Sequence, residues 1–189
     1  MSDFEFVSII LSIVVGLGIT RILGSLAGAL RHRSTLRSHW VTMVWAVDLL
    51  LWQVLYWLGT VNSYRQASVF TIPGFATLLA GAVAFYFAAS LILPEEIDSE
   101  TDLARHFASI RRPFYLVLAA VPVLELLDTL SHGFGIVARQ GWGYFLILVS
   151  TFAGSLVGAF VASRRVHEVL CLCSLVAVVS WLLARFYVI

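Results

Sequence analysis

The 189-residue chain has no lysine, and only 12% of its residues are charged, against about a quarter in an ordinary soluble domain. Every basic group is therefore an arginine or a histidine. The net charge of +1 and the grouping of the arginines in short loops speak for membrane orientation rather than nucleic-acid binding. Cysteine is scarce too. Cys171 and Cys173 stand one residue apart in an apolar run, on different faces of a helix, which excludes a disulfide between them and a zinc pair. HExxH, a phosphate-binding glycine loop and a nucleophile elbow are all missing. No histidine lies deep in an apolar segment: His32, His39, His106 and His167 fall toward one side and His132 toward the other, which argues against a buried bis-histidine haem. The reading is of no metal and no cofactor.

What the chain has is apolar length. It is 60% hydrophobic, with a mean hydropathy of +0.94. Six stretches meet or approach the roughly 20 residues that a membrane-spanning helix needs: Phe6–Leu30, Trp40–Val61, Phe70–Leu93, Phe114–Leu130, Trp142–Ala162 and Val166–Val188. Too little sequence remains between them for a soluble domain, so the chain reads as one all-α membrane domain of six helices. Asp3 and Glu5 stand where a signal peptide would be basic, so the first stretch is expected to stay as a spanning helix. The fourth is the shortest and most polar of the six, and the one most prone to break.

The arginines give the expected orientation. Arg31, Arg33 and Arg37 follow segment one, Arg105, Arg111 and Arg112 follow segment three, and Arg164 and Arg165 follow segment five, while the opposite loops hold Arg65 and Arg139. By the positive-inside rule the first set is cytoplasmic and both termini lie on the outer side. Trp40, Trp57, Trp142 and Tyr187 sit near segment ends, as interfacial anchors do. The longest loop, 94–113, is acidic first (Glu95, Glu96, Asp98, Glu100, Asp102) and basic later. Ser99 and Asp102 have capping-box spacing, and Leu103, Phe107 and Ile110 recur at helical intervals. A short amphipathic helix lying on the membrane face is predicted, either as a plain connector or as a partner contact.

Charges inside the apolar segments are the candidate functional residues, because lipid makes them costly unless they pair or line a path. Arg21 and Asp48 each lie nine residues from the cytoplasmic end of their segment, about 13 Å along a helix. A guanidinium–carboxylate pair across segments one and two is expected, serving as a structural bridge or part of a pathway. Trp45, Asp48 and Trp52 share a helical face, so the two indoles should flank the carboxylate. Segment four adds Glu125 and Asp128 on one face just after Pro122, whose missing N–H frees a carbonyl one turn earlier and suggests a kink. Arg21 and Arg185 are the available partners for that pair of acids, and Asp128 lies near enough to the outer surface to be wetted. Gly24 and Gly28 form a GxxxG, and Gly154, Gly158 and Ala162 continue a small-residue stripe on segment five, both suited to close helix approach. Close packing is also expected at Gly16 and Gly18.

The stretch FEFVSIILSIVVGLGIT (Phe4–Thr20), the run SLILPEEIDSETDLARHF (Ser90–Phe107) and RRPFY (Arg111–Tyr115) resemble an uncharacterised family of small polytopic bacterial inner-membrane proteins. The resemblance covers about a fifth of the chain. It implies a bacterial plasma-membrane location and carries no activity or site residues. From the residues themselves, two readings stay open. One is a small ion channel or proton-coupled transporter, acting on an ion or small solute through a polar centre of Arg21, Asp48 and Glu125, with a homo-oligomer expected. The other is an accessory, assembly or sensor protein whose buried charges are structural. An enzyme acting through Glu125 or His39 is the least supported, since no catalytic constellation is present.

Overall fold

The structure, a computed structural model, describes residues 3–31, 39–64, 71–98, 101–131 and 141–186. Arg33, Arg37, Arg65, Ser99, Glu100, His32, His132, Arg139 and Tyr187 lie outside the described residues, as does the side chain of Arg185. Among the described residues there are six helices and no strand: α1 Asp3–Arg31, α2 Trp40–Tyr64, α3 Ile72–Ile92, α4 Leu103–Ser131, α5 Gly141–Phe160 and α6 Arg164–Phe186. All six are long and apolar enough to cross a membrane, the make-up of a multi-pass membrane protein. Their outer faces carry large apolar side chains such as Ile13, Leu17, Leu146, Val149 and Val176. In water so extensive an apolar surface would aggregate; against lipid it is a matched solvent.

Packing neighbours run in the order α1, α3, α4, α5, α6, α2 and back to α1. Contacts between ends show that the helices alternate in direction. The rings of His39, Phe107 and His167 meet at the starts of α2, α4 and α6. Arg21 and Ser25, toward the end of α1, reach the carbonyls of Leu93 and Pro94 just past α3. This end holds Arg31, Arg105, Arg111, Arg112, Arg164 and Arg165, and is the arginine-rich end below. At the other end Thr77 of α3 meets Asp128 of α4, and Thr129 of α4 meets Tyr144 of α5.

Segment four departs most from the sequence expectation. Residues 103–113 do not form a separate helix lying on the membrane face; they are the first turns of α4, which runs unbroken for 29 residues through Pro113 and Pro122. Its start is capped by Asp102, whose Oδ1 accepts from the N–H groups of Ala104 (2.9 Å) and Arg105 (3.1 Å). The sequence pattern predicts Leu103 and Phe107 on an amphipathic face at the membrane surface. Both are buried in the main core instead, with Phe114, Tyr115 and Trp45. Burying that face against other helices removes it from the interface altogether. Pro122 is itself buried within α4.

Three glycines, Gly18, Gly81 and Gly158, leave room for a side chain of a neighbouring helix, Gly81 for the Tyr56 hydroxyl. A Cβ on Gly158 of α5 would sit 2.5 Å from Cζ of Tyr115, and one on Gly18 of α1 would overlap the Gln53 amide oxygen. Of the GxxxG pair, Gly24 faces open space and Gly28 lies beside Ile97; Gly16 is open as well. Ala162 falls in the turn between α5 and α6, so the small-residue stripe ends at Gly158.

Candidate functional site

Two rows of side chains face each other where α2 packs on α6. On α2, Trp45, Asp48 and Trp52 are spaced three and four residues apart; on α6, His167, Cys171 and Ser174 are spaced four and three. Either spacing keeps three side chains on one helical face. The rows join at Asp48, which is fully buried. Ser174 Oγ donates to Asp48 Oδ2 at 2.7 Å and itself accepts from Trp52 Nε1 at 3.3 Å. The other carboxylate oxygen, Oδ1, is buried and has no hydrogen-bond partner, and Trp45 Nε1 is in the same condition.

Tyr115 of α4 closes this seam toward the arginine-rich end. Its ring stacks on His167, with centroids 5.5 Å apart, and meets Trp45 edge-on at 5.7 Å. Its hydroxyl lies 3.2 Å from His167 Nδ1. Gly158 gives the ring its place, since any side chain there would occupy the same volume. One layer further out, His39 bonds Thr42 Oγ1 through Nδ1 at 2.7 Å and packs on Phe107. Burial, and then the nearby Arg164 guanidinium, lower the His39 pKa from its ordinary value, with Asp102 and Glu168 acting weakly the other way.

The sequence-predicted polar centre is dispersed. Arg21 does not pair with Asp48: its guanidinium donates to Ser25 Oγ at 2.9 Å and to the Leu93 carbonyl at 3.4 Å, while Ser25 Oγ donates to the Pro94 carbonyl at 3.4 Å. The physical reason is that α1 overshoots α3. The last ten residues of α1 run past Ile92 and alongside Pro94–Ile97, so Arg21 is level with the end of α3 rather than with the middle of the bundle. That end presents carbonyls with no helical partner and the negative pole of the helix dipole, which suits a guanidinium. His106 adds to the same cap, its Nε2 lying 3.0 Å from the Leu91 carbonyl.

Glu125 and Asp128 form a separate group toward the other end, Glu125 being ten residues beyond Tyr115 on α4, about 15 Å along the helix. Thr77 Oγ1 donates to Asp128 Oδ1 at 3.3 Å, and the Tyr144 hydroxyl, 2.6 Å from Thr129 Oγ1, lies 3.5 Å from the Glu125 carbonyl. Glu125 is partly buried, and Arg21 is committed elsewhere. Of the expected aromatic lining, Trp52 reaches Asp48 through Ser174, and Trp45 packs on Phe114 and Tyr115. Among the described residues no three His, Cys, Asp or Glu side chains gather as a metal site would require.

His167, Ser174 and Tyr115 were not singled out from the sequence. The row His167, Cys171, Ser174 on one face was a usable signal; a lone tyrosine in an apolar run was not. No family model, curated protein or solved structure matches the chain.

Proposed function

We propose that the chain is a small proton-conducting or proton-coupled transport protein of a bacterial plasma membrane, with its arginine-rich end in the cytoplasm and both termini outside. Asp48 is the group that takes up and releases the proton. The observation that carries this reading is the carboxylate itself, fully buried with one serine donor and, among the described residues, one unpartnered oxygen and no cation bonded to it. A structural ion pair would bring its own countercharge. A carboxylate left without one, deep in an apolar bundle, is suited to proton exchange, and intramembrane acids of this kind commonly mark a path. The His167–Tyr115 contact supplies exchangeable groups between Asp48 and the arginine-rich end. On the other side Glu125 and Asp128 are the next acids such a path would meet. The reading as an accessory protein docking through residues 94–113 is less favoured, because Leu103 and Phe107, the apolar face it would use, are packed inside the bundle.

The test is proton flux into liposomes under a pH gradient, with Asp48→Asn as the comparison at equal incorporation. Asparagine keeps the shape and still accepts from Ser174, so the fold should survive while flux is lost. Absence of wild-type flux under proton, sodium and potassium gradients would overturn the proposal.

A further inference from the structure

Two buried nitrogens at the arginine-rich end have no hydrogen-bond acceptor among the described residues. His167 is only 5% exposed; its Nδ1 meets the Tyr115 hydroxyl, the Val161 backbone just past the end of α5 lies near enough to act on the ring, and its Nε2 makes no hydrogen bond of good geometry among the described residues. Arg111 stands one turn before Tyr115 on α4, and its Nη1 is likewise buried and unpartnered. Arg111 and His39 are both close enough to the His167 ring to interact with it electrostatically. When the Tyr115 hydroxyl donates to Nδ1, the neutral imidazole carries its proton on Nε2, and both orphaned nitrogens are then donors. A buried donor without an acceptor is costly, and more so on a cation. Two described acids at this end are already engaged: Glu168 is paired with Arg164 at 2.9 Å, and Asp102 caps α4.

We propose that this corner of the bundle binds a phosphate group, carried by the headgroup of an anionic phospholipid or by free phosphate, with Arg111 and His167 Nε2 as its donors. A guanidinium fork matches phosphate oxygens, and basic pockets between spanning helices are a recurrent seat for acidic headgroups. The position fits. Arg111 is partly exposed and lies just before Pro113 and the apolar run that begins at Phe114, where headgroups meet the hydrocarbon. The starts of α2, α4 and α6 all face this end, so their dipoles favour an anion as well. The site is independent of whether Asp48 carries protons.

The experiment is thermal unfolding of the purified protein in a nonionic detergent. Phosphatidylglycerol, phosphatidylcholine, inorganic phosphate and sodium chloride at matched ionic strength are titrated separately. Wild type should gain stability selectively with phosphatidylglycerol, with inorganic phosphate or with both, and Arg111→Gln should bind about tenfold more weakly or not at all. His167→Gln should weaken the same response. A shift with phosphatidylglycerol alone assigns the lipid headgroup, and a shift with both assigns any accessible phosphate. Because Arg111 Nη1 is buried with no hydrogen-bond partner among the described residues, Arg111→Gln without additive should unfold at or above the wild-type temperature. An unfolding temperature well below wild type would mean that the guanidinium is held by the chain, and would overturn the site. So would an absent shift, or one equal in wild type and Arg111→Gln; a bridging water would then account for both nitrogens.

Discussion

Ser174 and Asp48, 126 residues apart in sequence, are joined by a 2.7 Å hydrogen bond that ties α6 to α2 inside the bundle. The same hydroxyl accepts from Trp52, so one small side chain satisfies a carboxylate oxygen and an indole together. Ser174→Ala should therefore leave a buried carboxylate oxygen and a partly buried indole wanting. A loss of about 1–3 kcal/mol is expected for an unsatisfied buried partner, measured as unfolding in a detergent titration. Asp48→Asn should cost less than Ser174→Ala, because the amide oxygen still accepts the serine proton. The opposite order would show that Asp48 is held as an ion.

Gly158→Ala places a methyl group into the Tyr115 ring, whose nearest atom would be 2.5 Å away. Overpacking of this sort costs about 1–3 kcal/mol, and here it also displaces the ring that stacks on His167. Gly24→Ala, facing open space, should be neutral or slightly stabilising, since alanine is the better helix former. Paired melting curves of the two variants check both statements.

Much of this bundle was legible because lipid imposes a length. All six segments became helices, and α2 and α5 begin within a residue of where the apolar runs begin. The start of α4 was hidden because Leu103–Arg112 is polar enough to look like a loop, yet its apolar side chains are buried against helices far away in sequence. The depth of Arg21 is not legible in the sequence, because residue counts along one helix give depth only where neighbouring helices end at the same level. α1 and α3 do not.

Acid should weaken the arginine-rich end through His39. Burial and Arg164 depress its pKa below the ordinary 6.5, so near and below that pH the unfolded chain binds the proton more readily than the folded one. The His39 contribution is then fully present above about pH 6.5 and lost as pH falls through that value toward the folded pKa. Comparing wild type with His39→Gln between pH 8 and 5 isolates it. The difference between their unfolding midpoints should be flat above neutrality and should shift against wild type on acidification.

Arg21 and Asp48 supply the sharpest check on the dispersed polar centre. Were they an ion pair, removing either would strand the other, and the double variant would recover much of the loss. In the structure Arg21 serves the end of α3 and Asp48 the seam with α6. The losses from Arg21→Gln and Asp48→Asn should then add to within about 0.5 kcal/mol, as they do for independent sites. Arg21→Gln alone should cost about 1–3 kcal/mol, since the α3 carbonyls lose a charged donor, and Arg21→Lys should recover part of it by keeping the charge at the helix terminus. A coupling energy above about 1 kcal/mol in the double-variant cycle would put the two side chains back in contact and return Arg21 to the candidate site.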